Sequence, residues 1–461
     1  MTTLDLGHPR AIHIVAVGGA GMSGIATLLA ESGHRVTGSD QSGSDSLDRL
    51  AALGVTTWIG HDAAHVGDVD AVAVSTAVAD DNPEVVEARR RGLPILRRID
   101  VLPALAAVRP LLSVSGTHGK TTTTSMLTVA MRAAGEDVSY LIGAAVPVLG
   151  GAAGHRTGRF LVLEADESDG SFLSGPRAGA IVTNVEPDHL EYWGGFDALN
   201  AAFVQFLEGT DGPRVVCADD PGSAALAERV AGCVTYGQAQ DAIYRMADLN
   251  LGPDGSTFVL HGPGGAVEVR LSVPGAHNAT NAAGALALLA ETGLDPVAGA
   301  AGLATYTGVA RRFERRGEAD GVTVVDDYAH LPTEVRAALA AGRSGGWPRV
   351  VAVFQPHRYS RTAELWASFA DAFGDADVLV LTDIYAAGET PRPGVSGKLI
   401  VDAVLDLHPW RRLAWMPTLD DAAAYLVAEL RAGDLCMTIG AGDVTTLGPD
   451  LIEALTARGR R

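Results

Sequence analysis

The segment Gly116-Thr117-His118-Gly119-Lys120-Thr121-Thr122 places a lysine and a hydroxyl directly behind a glycine-bounded turn. It lies between the apolar run Leu111–Ser115 and the helical stretch Thr121–Ala133. A loop of this kind cradles phosphate oxygens with backbone N–H groups. It sets Lys120 against β/γ charge and offers the Thr121 hydroxyl to Mg2+. The ordinary spacing, G-x-x-x-x-G-K-[ST], needs glycine at 114; the chain has Val114 and so carries the shorter form G-x-x-G-K-T. Lysine occurs only at Lys120 and Lys398, so a lysine task at this loop falls to Lys120. ATP is the ligand that the loop implies.

A second glycine turn, Gly19-Ala20-Gly21-Met22-Ser23-Gly24, follows the apolar run Ile12–Val17 and leads into a helical pattern over Ile25–Glu31. G-x-G-x-x-G permits close backbone approach, and the helix N-terminus offers free N–H groups to a diphosphate. Asp40 ends the next strand, where a ribose-binding acid sits in dinucleotide folds. NAD or NADP fits this turn as well as any other diphosphate does, so the residues fix the ligand chemistry and not its identity. A dehydrogenase has no need of the Lys120 loop, and a motor ATPase has none of the Gly19 turn.

Acids and histidines gather behind further apolar runs. Glu164-Ala-Asp166-Glu167-Ser-Asp169 follows Phe160–Leu163, and beside a phosphate loop it reads as a metal site with Glu164, nearest the strand, as first choice for Mg2+ (or Mn2+). Asn184-Val-Glu186-Pro-Asp188-His189 continues from the strand Ala180–Asn184 and makes His189 a candidate for a second metal or for substrate. Asp326-Asp327-Tyr328-Ala-His330 and Gln355-Pro-His357-Arg358-Tyr-Ser-Arg361 suit a carboxylate clamp, since arginine presents a planar donor pair and histidine one donor more.

These segments need strands that end where they begin. Arg35–Gly38, Asp70–Ser75 and Pro94–Arg97 read as strands and Pro83–Arg91 as a helix, so the first part of the chain alternates strand and helix. Short strands and Gly/Pro turns fill about 215–273, and Pro274–Glu291 is helical. Tyr306–Arg316 is charged and poor in aliphatics, a linker to a unit with strands at Val322–Asp326, Arg349–Phe354, Val378–Thr382 and Leu435–Ile439. Alternating strands and helices predict parallel sheets covered on both faces, with ligands at the carboxyl ends of the strands. The expectation is an α/β protein of three domains, 1–108, 109–316 and 317–461.

With 461 residues, 47% hydrophobic and 20% charged, the chain matches a soluble multidomain enzyme. Its net charge of −20 opposes a nucleic-acid partner. Cys217, Cys233 and Cys436 have no metal-type spacing, which predicts reduced thiols in the cytoplasm. No apolar stretch is long enough to span a membrane, and Met1–Arg10 lacks a signal-peptide pattern.

Taken together the segments resemble the Mur ligases. GGAGMSGIA (18–26), GTHGKTTTTSM (116–126), EADESDGSFL (164–173), NVEPDH (184–189) and PGAHNATNAAGA (274–285) carry the resemblance, with GVARRFE (308–314), DDYAH (326–330), FQPHRYSRT (354–362), IYAAGE (384–389) and IGAGD (439–443). The likeness is strongest to members that use ATP to join L-alanine to UDP-N-acetylmuramate. It implies a Rossmann-like N-terminal domain for the UDP-sugar and a central P-loop ATPase-like domain. A Rossmann-like C-terminal domain would close over ATP and the amino acid. The turn from Gly19 to Gly24, with Asp40, Ser75 and Thr76, would then hold the UDP-sugar. Asn278 and Asn281 would lie at adenine, Arg312 at the γ-phosphate, and Asp326 or Asp327 at ribose.

Tyr328, His330, His357, Arg358 and Arg361 would take the alanine carboxylate, while Thr121, Glu164 and His189 would hold metal. Leu331 stands where the family pattern DDYAHHPTE has a second histidine. Several relatives carry a carbamylated lysine shortly after the metal-binding histidine, yet no lysine occurs between His189 and Pro274. A ligase that recycles muropeptides onto the same sugar is the alternative; its glycine turn usually differs from GGAGMSG.

Overall fold

The computed structural model describes residues 4–75, 77–252 and 255–459. The chain forms two compact units, one of residues 1–248, 258–270 and 280–306, the other of 249–257, 271–279 and 307–461.

The first unit opens with a five-stranded sheet in the order Thr56–Ile59, Arg35–Asp40, Ala11–Val15, Ala71–Val74, Ile95–Arg97. All its pairings are parallel. Side chains alternate across it, as a period of two requires. Ile12, Ile14, Ala71, Ala73 and Leu96 pack with the helices Ala20–Glu31 and Arg98–Val108. Val15, Val72 and Val74 pack with the helix Pro83–Arg90 on the other face. Both faces are therefore covered, and the strands read as nearly continuous apolar runs.

A ten-stranded sheet follows, with Leu111–Ser115 inside it, flanked by Leu161–Glu164 and by Arg177–Val182, both parallel to it. Leu111, Leu141, Leu161 and Leu163 share a core with the helices of the first sheet. Gly24 lets the helix approach closely at this contact, since a Cβ on it would force the Leu141 side chain to shift. The third glycine of the turn thus permits packing. The second unit holds a six-stranded sheet, Glu314–Ala319, Val322–Asp327, Asp434–Ile439, Arg349–Phe354, Val378–Leu381, Leu413–Trp415, parallel except for its first pair.

Three expectations shift. The helix expected from Ile25 starts at Ala20, inside the glycine motif, because extended Gly19 caps it and its carbonyl accepts from Ser23 N at 2.8 Å. The helix Arg98–Val108 has no signature in the sequence; its residues Val101, Leu102, Ala104, Leu105 and Ala106 are buried, and it runs through Pro103 without a break. An apolar helix without a polar face shows no 3.6 periodicity. The expected linker 306–316 is a shaped turn, with Arg311 and Phe313 at φ 60° and 48°, and it runs into the strand Glu314–Ala319.

Candidate functional site

The strand Leu111–Ser115 delivers the lysine loop, and its two parallel neighbours deliver the acid segment and the Asn184–His189 segment to the same sheet edge. Gly116 (φ 132°) and Gly119 (φ 77°) take left-handed backbone, and Gly119 caps the helix Lys120–Ala133. The loop is held from its own strand's neighbour. Thr117 N donates to Asn184 O at 3.1 Å, His118 N donates to Asn184 Oδ1 at 2.7 Å, and His118 Nε2 lies 2.9 Å from Glu186 Oε2. Asn281 stands against the loop, its Oδ1 2.8 Å from a Cβ built on Gly119. Thr122 is buried in the helix.

Lys120 Nζ reaches Gly116 O at 2.8 Å and both oxygens of Glu167, at 3.0 and 2.9 Å. Burial disfavours its charge, but Glu167, Asp166 and Glu164 outweigh burial and hold the ammonium well above its ordinary value. Burial pushes the Glu167 carboxyl up to about 7, with Lys120 pulling against it and Asp166 adding to it. Burial would also raise Asp166, yet Lys120, the Ser168 N–H, Arg98 and His189 bring it below the usual range. Glu167 is thus the internal partner of the lysine, a role its place in the acid run did not reveal.

Thr121 Oγ1 donates to Glu164 Oε1 at 2.9 Å, and Gly143 N donates to Glu164 Oε2 at 2.5 Å. A hydroxyl and a carboxylate beside a phosphate loop are hard oxygen donors of the kind that would hold Mg2+. Among the described residues no group of three or more His, Cys, Asp or Glu side chains is arranged as a metal cage. His189, in left-handed backbone (φ 54°), faces Asp188 Oδ2 at 3.4 Å and Glu191 Oε1 at 3.9 Å, and its charge also acts on Asp166 of the acid segment.

In the five-stranded sheet, Asp40 Oδ2 accepts from Gly18 N at 2.9 Å, so the acid fixes the entry to the glycine turn. Ser75 follows the strand Ala71–Val74 and its Oγ accepts from Ala77 N at 3.4 Å; Thr76 lies outside the described residues. Gly19 to Gly24 follow the first strand as expected. The Met22 side chain belongs to the core, which leaves only its backbone for a ligand.

The second unit brings together residues that follow the strands Val322–Asp327 and Arg349–Phe354, which flank Asp434–Ile439 in the sheet. His330 and His357 lie ring to ring at 5.9 Å, Tyr328 packs on His330 at 5.5 Å, and His357 stacks on Tyr385 at 5.8 Å. Arg361 Nη1 lies 3.0 Å from His357 Nδ1, and Arg358 Nε is buried without a hydrogen-bond partner. Burial, Arg361, His330 and Arg358 hold His357 neutral, down to about 3. Arg361 and Arg358 thus set positive charge beside a neutral imidazole, with Glu389 as the opposing carboxylate. Tyr385 lies in the IYAAGE segment, and the sequence assigns it no role.

Asp326 is fully enclosed by Arg311 Nε (3.2 Å), Thr438 Oγ1 (2.7 Å) and Thr445 Oγ1 (2.7 Å). Asp327 accepts from Phe313 N at 2.7 Å and Ala329 N at 2.8 Å, and burial raises it to about 6 against the pull of Arg312. Arg312 lies over the Tyr328 ring at 5.0 Å and 3.8 Å from Glu334 Oε1. Glu334 Oε2 accepts from His330 N at 2.9 Å and Leu331 N at 3.2 Å, and Leu331 itself is buried. The side chain at 331 therefore points into the core. Asn278 Nδ2 donates to Pro274 O at 2.6 Å.

A phosphate loop on a parallel sheet, a glycine turn on another and an anion clamp on a third define a nucleotide-dependent, multidomain enzyme. The chain belongs to the Mur ligase family: the family's catalytic domain matches residues 11–109, its middle domain 114–289 and its glutamate ligase domain 311–442. It is 49% identical to the UDP-N-acetylmuramate–L-alanine ligase of Kineococcus radiotolerans over 97% of this chain and 96% of the relative. Its identity to the enzyme of that name from an Arthrobacter species is 47%, over 97% and 95%. The crystal structure of the UDP-N-acetylmuramate–alanine ligase from Thermotoga maritima superimposes with a TM-score of 0.82 at 28% identity, covering 97% of this chain and all of the other.

Proposed function

We propose that this protein joins L-alanine to UDP-N-acetylmuramate at the expense of ATP, in peptidoglycan precursor synthesis. The observation that carries the proposal is the convergence of Lys120, Thr121 and Glu164 at one sheet edge, in a chain matched nearly end to end by relatives of that name. The recycling alternative finds no feature of its own here. Such substrates place the reaction in the cytoplasm, and no helix among the described residues is long and apolar enough to cross a membrane.

A carboxylate does not react with an amine at neutral pH, because oxide would have to leave. Transfer of the γ-phosphoryl group to the lactyl carboxylate gives an acyl phosphate and ADP. Attack by the alanine amine then forms the amide and releases phosphate. Lys120 and Arg312 are assigned to charge on the transferring group. Mg2+ (or Mn2+), held by Thr121 and Glu164 with His189 serving a second ion, would neutralise phosphate charge.

Gly116 to Thr122 take the triphosphate, and Asn278 and Asn281 the adenine side. Asp326 or Asp327 takes the ribose, the oxygens of both being engaged inside the fold. Tyr328, His330, His357, Arg358 and Arg361 hold the alanine carboxylate and aim the amine. Domain boundaries at 108/109 and 316/317 separate these tasks. The test is ADP release with UDP-N-acetylmuramate and a panel of amino acids: release should require both and be fastest with L-alanine. Release with neither, or an NADH-linked absorbance change instead, would refute the assignment.

A further inference from the structure

We propose that Arg98 is a binding residue for the diphosphate of the nucleotide-sugar, an assignment that rests on the UDP-sugar reading of the Gly19 turn. No motif contains Arg98. It is the first residue of the helix Arg98–Val108, directly behind the strand Ile95–Arg97 at the edge of the five-stranded sheet.

The geometry aims its guanidinium at the glycine turn. A Cβ built on Gly21 would stand 3.5 Å from Arg98 Nη1 and 3.9 Å from Cζ. Gly21 is the second glycine of the motif, the position whose bare backbone lets a pyrophosphate approach. The turn supplies N–H donors from one side, and Arg98 supplies a planar cation across from them, the fork that matches phosphate oxygens.

The arginine also has an unmet demand. Its Nε is buried without a hydrogen-bond partner. Buried donors are almost always paired, so an enclosed guanidinium N–H without an acceptor marks a place where a ligand supplies one. A cation in the first turn of a helix is, moreover, opposed by the helix dipole, so local stability does not explain it. Asp166 is an acid whose charge Arg98 favours, and Asp166 lies in the Lys120 cluster.

The arm is rigidly placed. Asp100 Oδ2 accepts from Arg97 N at 2.9 Å, and Val101, Leu102 and Leu105 are core residues. Gly175, close behind the acid segment, leaves room for Pro103: a Cβ there would be 3.2 Å from Pro103 Cα. The helix therefore docks on the loop that carries the metal-side acids, and it holds the guanidinium at the glycine turn.

The test is calorimetric binding of UDP, UMP and UDP-N-acetylmuramate to the full chain without ATP, for wild type, Arg98→Ala and Arg98→Lys. ATP affinity in each variant reports that the fold is retained. Arg98→Ala should weaken UDP and UDP-N-acetylmuramate at least tenfold and UMP much less, with Arg98→Lys between. ATP affinity should stay within twofold. Unchanged UDP affinity in Arg98→Ala would overturn the assignment, and so would loss confined to UDP-N-acetylmuramate, which would move Arg98 to the lactyl carboxylate. Wild-type protein that binds none of the three would instead refute the UDP-sugar reading beneath it.

Discussion

Replacing Lys120 by alanine removes a cation from a buried ion pair as well as from the phosphate loop, and the two losses can be separated. Nζ contacts both Glu167 oxygens, at 3.0 and 2.9 Å, and the Glu167 side chain is 1% exposed. Removing one partner of a buried pair that stays charged is a loss of roughly 3–5 kcal/mol. Here the loss is smaller, because Glu167, at about 7 even with Lys120 beside it and pushed up by Asp166, takes a proton once Lys120 is gone. Lys120→Ala should still unfold at lower urea concentration.

Lys120→Ala with Glu167→Gln removes both charges and should regain most of that stability. Turnover should behave differently. A stabiliser of transferring phosphoryl charge contributes about 4 kcal/mol, roughly a 10³-fold rate, and neither variant has a substitute, since lysine occurs elsewhere only at 398. Urea denaturation and ADP release at saturating substrates give the two readings. Turnover within tenfold of wild type in Lys120→Ala, or its return in the double variant, would refute the phosphate role and leave Lys120 a structural residue.

Arg361→Ala should raise KM for alanine more than KM for ATP or UDP-N-acetylmuramate, because Arg361 lies beside His357 in the carboxylate clamp; equal changes in all three constants would point to a folding defect. Activity should be insensitive to removal of bicarbonate, since Lys120 is held by Glu167 and Lys398 by Asp402 at 2.5 Å, and no lysine lies between His189 and Pro274. Reproducible rescue by bicarbonate after degassing, at constant pH, would contradict this. Acid stability should depend on Glu84, which is fully buried and bonded to Ser39 Oγ at 2.5 Å and His65 Nδ1 at 2.8 Å. Burial would raise its carboxyl, but His13, Ser39 and His65 lower it to about 2. Its contribution is then complete above about pH 4.5 and lost as pH falls through about 2. It amounts to ~3 kcal/mol. Glu84→Gln should flatten the acid limb of a stability–pH curve, and an unaltered limb would show that other groups set it.

Local sequence determined those parts of this protein that depend on residues close together in the chain. The strand Arg349–Phe354 lies where its apolar run predicts, and Leu111–Ser115 leads into the lysine loop as its residue types require. Their places behind apolar runs name Thr121, Glu164 and His189 as metal ligands, and the side-chain oxygens of the first two stand 2.9 Å apart. Backbone conformation at Gly116 and Gly119 follows from glycine's freedom at positive φ.

Tertiary structure decided what depends on strand order and on enclosure. Glu164 and Glu167 belong to the same acid run, yet one meets Thr121 and the other Lys120. Which carboxylate meets which partner depends on how Leu161–Glu164 and its following loop lie beside Leu111–Ser115. Asp326 and Asp327 are likewise indistinguishable as types. Successive strand residues face opposite sides of a sheet, so Asp326 turns to the side chains of Thr438, Thr445 and Arg311 while Asp327 accepts from the backbone of Phe313 and Ala329. Met22 went to the core, and Arg98, outside every motif, came to the glycine turn. A side chain's role is set by the charge and space around it, and those come from chain segments that lie far away in sequence.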